Sequence, residues 1–266
     1  IGRINAIAVD PGNAQIIYAG APSGGLWKST NGGSSWTTNT DSLDAIGVSG
    51  IAIHPTNSNI VYIATGDGEG SDTYIIGVLK STDGGQTFNT TGMNWSIYNG
   101  RTISKIIIHP SNPDTVLVAT SNGIYQSADG GTSFSLVQSG DFNDVEFNKS
   151  NPSIVYASGT SYYRSVNSGV SFTQITAGLP SSVDVSRMEI GVTPANSNYV
   201  YIIASGEVDE GFYGIYRSTD AGLNFTLMSN SPNILGYYTD GSDAGGQGYY
   251  DLTIAVSPTN ESEVYA

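Results

Sequence analysis

Cysteine is absent from all 266 residues. That excludes disulfides, thiolate metal sites and a cysteine nucleophile. Charge is scarce as well, with Asp, Glu, Lys and Arg making up 12% of the chain, about half the usual ~25%. Basic residues are the scarcest: 9 Lys+Arg stand against 23 Asp+Glu, for a net charge of −14. Without a Lys/Arg cluster, the chain lacks the electrostatic footprint of a nucleic-acid binder. No apolar run approaches the ~20 residues of a transmembrane helix. No secretory leader is visible, but the chain opens at Ile1 in what reads as the middle of a strand, so an earlier segment is expected. Abundant instead are 34 Gly and 17 Tyr among many Ser, Thr and Asn. This composition suits an all-β protein and argues against a coiled coil or helical bundle. Gly and Pro together stay below the ~25–30% that marks disorder.

The dominant signal is an internal repeat. One motif occurs five times, at Ser29–Trp36, Ser81–Phe88, Ser127–Phe134, Ser165–Phe172 and Ser218–Phe225. Its form is Ser-x-Asp/Asn-x-Gly-x-(Ser/Thr/Asn)-aromatic, and successive copies start 52, 46, 38 and 53 residues apart. A second motif, an apolar run followed by a Pro-x-Asn turn, occurs six times, with Asn13, Asn57, Asn112, Asn151, Asn196 and Asn260 closing the turn. In the fourth copy Lys149 replaces the proline. Pro presets φ, and Asn bonds its own backbone, so each copy predicts a tight turn. Each unit then reads as four short strands: A before the Pro turn (Lys105–His109, for example), B after it, C leading into the Ser-x-Asp-x-Gly turn, and D starting at the aromatic.

Four strands per ~40–50 residues is the period of a β-propeller blade. The predicted fold is therefore an all-β propeller of four-stranded antiparallel blades, at least six in number. The blades are expected at about 1–43, 44–96, 97–138, 139–180, 181–230 and 231–266. The last lacks strands C and D, and a ring must close to remove its sheet edges, so the chain is expected to be incomplete. On strand A, large apolar pairs such as Ile106/Ile108 and Ile190/Val192 flank a residue that is often small. Glu146 breaks that pattern and is expected either to pair or to line a channel, because an unpaired buried charge is costly.

These residues resemble the Asp-box, or BNR, repeat found in sialidases, in the xyloglucan-cleaving hydrolases of glycoside hydrolase family 74, and in sortilin-type (VPS10) receptors. The pairing with a His-Pro-x-Asn type turn is most similar to the family 74 and sortilin side, and the resemblance covers nearly the whole chain. It is informative about fold and much less so about function. The Asp-box itself reads as a turn cap in which the carboxylate or amide accepts backbone N–H groups and glycine supplies φ > 0. Asn31 and Asn167 keep the acceptor and lose the charge, which a cap tolerates and a catalytic acid does not.

The resemblance implies that ligands meet the face where strand A begins and strands B and C connect. Arg3, Arg101 and Arg187 occupy equivalent rim positions in units 1, 3 and 5 of an arginine-poor chain. A guanidinium offers a planar fork for carboxylate, sulfate or sugar hydroxyls. Tyr249, Tyr250 and Asp251 join them as ligand-binding candidates, because paired tyrosines on a Gly-rich loop give flat amphipathic surfaces. The sialidase-like reading lacks the Arg-Ile-Pro element, since Arg3 is followed by Ile4 and Asn5. For family 74, the acid's position in Ala19–Gly25 holds Pro22 or Ser23. Asp67 in the matching loop of unit 2 is the candidate substitute.

Asp67, Glu69 and Asp72 also form a candidate Ca²⁺ loop of oxygen ligands, though not with the spacing of an EF-hand. His54 and His109 share one turn position with Asp10, Asn148, Thr193 and Ser257, so a turn hydrogen bond explains all six. No phosphate loop, nucleophile elbow or zinc spacing is present. The leading expectation is a secreted or cell-surface, non-catalytic propeller that binds a glycan, peptide or protein. The alternative is an exported glycoside hydrolase related to family 74 or to sialidases.

Overall fold

The computed structural model describes residues 3–38, 40–41, 43, 47–69 and 73–266. Two compact units emerge, Ile1–Gly140 and Asp141–Ala266. The first holds three four-stranded antiparallel sheets. Sheet 1 contains β1 (Ala6–Val9), β2 (Ile17–Ala21), β3 (Gly25–Ser29) and β4 (Thr37–Thr38). Sheet 2 contains β5 (Val48–Ile53), β6 (Val61–Thr65), β7 (Gly77–Ser81) and β8 (Asn89–Asn94). Sheet 3 contains β9 (Ile103–Ile108), β10 (Val116–Thr120), β11 (Gly123–Ser127) and β12 (Ser135–Ser139). The second unit holds sheet 4, with β13 (Asp144–Phe147), β14 (Val155–Ser158), β15 (Tyr162–Ser165) and β16 (Thr173–Gln174). Sheet 5 has β17 (Val185–Val192), β18 (Val200–Gly206), β19 (Phe212–Ser218) and β20 (Thr226–Ser229). Sheet 6 has two strands, β21 (Ala255–Val256) and β22 (Val264–Tyr265). In every four-stranded sheet, strands pair in chain order. This is the meander of a β-propeller blade.

The second strand of each blade is buried along its whole length in β6, β10, β14 and β18. Its sequence shows why: Val61–Thr65 and Val116–Thr120 are continuous apolar runs without alternation, as a strand covered on both faces requires. The cover comes from neighbouring sheets. Within the first unit β5 packs against both β1 and β9, and within the second β17 packs against β13 and β21. Strand A is less enclosed. On β1, Ile7 and Val9 are exposed, because no sheet of the unit packs against that face. Glu146 is paired, with Lys149 Nζ donating to its Oε2 at 2.9 Å.

All five Asp-box turns have one design. The Ser hydroxyl donates to the Asp or Asn side chain, and it accepts the N–H of the glycine two residues beyond at 2.8–3.0 Å. The Asp/Asn Oδ1 accepts the N–H four residues on, in Ser35, Thr87, Ser133, Ser171 and Asn224. Two successive residues take φ > 0, for example Gly130 (65°) and Gly131 (88°). Ser168 and Ala221 occupy the first of these positions in sheets 4 and 5, at the backbone cost of a side chain in the left-handed region. Strand D starts one residue after the aromatic, at Thr37, Asn89, Ser135, Thr173 and Thr226, so the aromatic belongs to the turn.

The boxes also staple sheet to sheet. Tyr62 Oη and Lys80 Nζ each donate to Gly130 O at 2.8 Å, and Lys80 lies 5.2 Å from the Tyr62 ring centroid. Tyr18 and Lys28 hold Gly84 O of the next box in the same way, and Arg164 Nε holds Ala221 O. A carbonyl left over by the tight turn is thus satisfied by the preceding sheet. The Pro turns are equally regular. His54 Nδ1 accepts Thr56 N–H and His109 Nδ1 accepts Ser111 N–H, as Asp10 Oδ1 does for Gly12 and Thr193 Oγ1 for Ala195. His109 therefore leaves strand A, and its own N–H closes the turn on Thr115 O.

The box carboxylates set an acid limit. Backbone and side-chain donation from Thr87 holds Asp83 well below the ordinary carboxylate range. Donation from Ser133 lowers Asp129 to about 2. Partial burial opposes ionisation of Asp220, but hydrogen bonds from Asn224, Ser218 and Leu223 outweigh it and bring it to about 2. With folded pKa values depressed below the unfolded ~3.9, these groups stabilise the fold above pH ~4. They release that stability as pH falls toward 2. Calorimetry between pH 6 and 2 is expected to show Tm falling mainly below pH 4. The triple variant Asp83→Asn/Asp129→Asn/Asp220→Asn should flatten that fall, since Asn31 and Asn167 already cap two boxes without titrating. An unchanged acid slope in the triple variant refutes the assignment.

Candidate functional site

At the rim where strand A begins, Gly66 leaves β6 at φ 91° and turns the chain into the second B–C loop. Asp67 follows and is 1% exposed. Arg3 Nη2 lies 2.6 Å from its Oδ2, and Asn5 Nδ2 donates to Oδ1 at 3.3 Å. Glu69 N–H donates to Oδ1 at 3.2 Å. A buried carboxylate is tolerable only when paired and hydrogen-bonded, and Arg3 supplies that pairing across 64 residues of sequence. The guanidinium occupies the place where a cation would meet Asp67. Asp72 lies outside the described residues. Among the described residues no group of three His, Cys, Asp or Glu can hold a metal ion.

Further along the same loop, Thr73 Oγ1 donates to Pro22 O at 2.5 Å. Pro22 is buried and Ser23 exposed. The first B–C loop thus presents no carboxyl where the family 74 resemblance would put one.

Thr73 also opens a groove of about 210 Å³ that runs to Thr102. Its walls are the loop at Tyr74–Ile75 and the connection from β8 to β9. The chain there is Trp-Ser-Ile-Tyr-Asn-Gly-Arg. Ser96 caps a 3₁₀ turn over Ile97–Asn99, with Tyr98 N–H donating to its Oγ at 3.3 Å. Gly100 ends the turn at φ 60°. This turn lifts Tyr98 to 90% exposure, and Tyr74 stands 69% exposed on the other side. Trp95 is half-buried between them. Its N–H is held by Ile76 O, and its ring meets Tyr125 edge-on at 5.9 Å. Asn122 fixes Tyr125 by donating to its hydroxyl at 2.8 Å. The Arg101 guanidinium lies 5.1 Å from the Trp95 ring centroid. A volume below the ~300 Å³ of drug-sized pockets admits about one sugar-sized group, with the rest of a longer ligand lying along the rim.

In the second unit, Arg187 is 8% exposed. Its Nε donates to Glu189 Oε1 at 2.8 Å and its Nη1 to Tyr249 O at 3.1 Å. The Tyr249 and Tyr250 rings are 6.0 Å apart, with Tyr249 56% exposed. Asp251 is exposed, its N–H bound to Gln247 O. Arg187 is thereby joined to the tyrosine loop by a backbone carbonyl. The three rim arginines have different fates. Arg3 neutralises a buried acid, Arg187 braces a loop, and Arg101 stacks in a groove. Trp95 and Tyr74 are groove residues that no repeat motif marks. The sequence signal for Trp95 is the aromatic-rich link after the second Asp-box, and Tyr74 lies in the B–C loop before it.

A propeller of Asp-box blades with an aromatic, arginine-bearing groove on the rim defines the class. Comparison places the chain within it: the Sortilin-Vps10 model (sortilin, neurotensin receptor 3) matches residues 24–157, just over half of the chain. The chain belongs to that family. It is 25% identical to a xyloglucanase of a Paenibacillus species, over 97% of its own length and 24% of the relative's. It is 28% identical to a xyloglucanase of Hypocrea jecorina over 52% of its length, 18% of the relative's. The chain thus spans a quarter or less of these relatives.

Among solved structures, an ancestral glycoside hydrolase family 74 enzyme superposes with a TM-score of 0.75 at 21% identity, over 97% of this chain and 34% of that one. The family 74 enzyme of Niastella koreensis gives 0.71 at 24%, over 97% and 43%. These last two establish the propeller fold. Among the described residues no helix is long and apolar enough to cross a membrane.

Proposed function

We propose that this chain is part of an exported glycan-binding propeller of glycoside hydrolase ancestry, and that it grips a polysaccharide rather than cleaving it. The observation carrying this reading is the groove between Thr73 and Thr102, where Trp95 and Tyr74 border a space of about 210 Å³. Aromatic rings with polar neighbours offer an apolar face to sugar C–H groups and hydrogen bonds to their hydroxyls. Ser96, Asn99 and Thr102 are those neighbours. The xyloglucanase relatives support a β-glucan backbone as the ligand class.

Binding of xyloglucan and cellulose oligosaccharides by titration calorimetry is the test. Tyr74→Ala removes an exposed ring that lines the groove. It is expected to weaken binding by about 1 kcal/mol, or about fivefold. Trp95→Ala should weaken it more. No binding of any oligosaccharide by the unaltered chain refutes the reading.

The second reading, hydrolysis, is favoured by the match to a xyloglucanase over 97% of this chain. Two features weigh against it in this segment. Pro22 has no proton to give, and Asp67 is buried beneath Arg3, out of reach of a glycosidic oxygen. Release of reducing ends that disappears in Asp67→Asn would establish hydrolysis instead.

A further inference from the structure

We infer that the Thr73–Thr102 groove selects an acidic sugar, with Arg101 as the residue that reads a uronate carboxylate. This rests on the glycan reading above and goes beyond it, because neither xyloglucan nor cellulose carries a charge.

The argument begins with the charge inventory. The protein has 23 acidic residues and 9 basic ones, so an arginine ordinarily finds an acid nearby. Arg3 has Asp67 and Arg187 has Glu189. Arg164 is spent on the carbonyl of Ala221. Arg217 lies 5.5 Å from the Tyr199 ring centroid and shares a hydrogen bond with the Tyr201 side chain. Arg101 lies 5.1 Å from the Trp95 ring centroid, and among the described residues no carboxylate pairs with it. Nor do the described residues lining the groove include an acid, for they are Thr, Tyr, Ile, Trp, Ser, Asn and Gly besides Arg101. Among the described residues lining it, this rim groove of a strongly acidic protein carries one positive charge and no negative one.

The stacking has a second consequence. A cation–π contact leaves the guanidinium N–H groups free to donate elsewhere. Trp95 is itself held by Tyr125 and by its backbone bond to Ile76. The guanidinium is therefore steadied beside a held ring, and less rotamer freedom is left to lose on binding. A planar carboxylate accepts such a fork through two parallel hydrogen bonds. A uronic acid brings that carboxylate on a pyranose whose C–H face suits Tyr74, and the groove holds about one such ring.

The test compares oligogalacturonate or oligoglucuronate with the same oligomer as its methyl ester, which keeps the shape and removes the charge. The acid should bind at least tenfold more tightly at low salt, and the preference should shrink as salt is raised. Arg101→Gln should abolish the preference, lowering affinity for the acid at least tenfold more than affinity for the ester. Arg101→Lys, which keeps the charge and loses the fork, should retain only part of it. Equal binding of acid and ester, with neutral oligosaccharides still bound, overturns this inference and leaves the glycan reading intact. Absence of binding by any sugar overturns both. Tighter binding of a sulfated oligosaccharide than of the uronate, or of an Asp/Glu-rich peptide than of any sugar, also overturns it.

Discussion

Arg3→Leu is expected to cost about 3–5 kcal/mol of stability, the range for removing one partner of a buried ion pair. Asp67 is 1% exposed, while the Arg3 side chain is 24% exposed. Water therefore reaches the arginine but not the carboxylate left behind. Asn5 Nδ2 at 3.3 Å and the Glu69 N–H at 3.2 Å remain as neutral donors, and they cannot replace a cation. Asp67→Asn should cost less, because it removes the charge that needs compensation and keeps both acceptor and shape. The double change Arg3→Leu/Asp67→Leu should recover much of the loss, as apolar replacement of a buried pair often does. Urea unfolding of these three variants and the unaltered protein ranks the costs. A loss below about 1 kcal/mol for Arg3→Leu would mean the pair behaves like an exposed one. The same set bears on function, because a stable Arg3→Leu/Asp67→Leu protein that still binds glycans removes this pair from the ligand site.

The second large effect is expected at Gly92. This residue lies in β8 where the second sheet meets the Asp-box of the third, and its N–H donates to Gly131 O at 2.9 Å. A Cβ there would stand 2.3 Å from Thr132 O and 2.7 Å from Ser133 Cα. Those are backbone atoms of a turn already fixed by Asp129, so they cannot rotate aside. Gly92→Ala is expected to cost about 2–3 kcal/mol, at the upper end for inserting a methyl group into a packed interface. Gly100→Ala is the control. Nothing lies within 4 Å of its Cβ, and only its φ of 60° opposes the change, at about 1 kcal/mol. Urea unfolding of both variants separates a steric wedge from backbone strain. If Gly92→Ala costs no more than Gly100→Ala, the inter-sheet contact yields, and the stapling of neighbouring blades is looser than the geometry implies.

Much of this architecture is legible in the residues, because the devices are local. An Asp-box bonds within eight residues, from Ser81 to Phe88, and a Pro turn within seven, so their spacing marks where strands begin and end. The all-apolar Val61–Thr65 and Val116–Thr120 segments announce strands covered on both faces. The staples are harder to read, since Tyr62, Lys80 and Gly130 are separated by up to 68 residues, although the Tyr-then-Lys pattern repeats in the first two blades. The rim is hardest. Arg3, Arg101 and Arg187 are equivalent in the repeat, yet their partners lie in loops that do not repeat.

The sequence by itself determined the four-stranded repeat, the turn caps and the absence of thiol chemistry, because these depend on residue type and short-range hydrogen bonding. Only the tertiary structure decided that Asp67 is neutralised by Arg3 and that Arg187 braces the tyrosine loop. It also decided that Arg101 lies beside Trp95 in the Thr73–Thr102 groove. Those outcomes turn on which distant side chains share a low-dielectric space, and that is a property of the packed sheets rather than of any one stretch of chain.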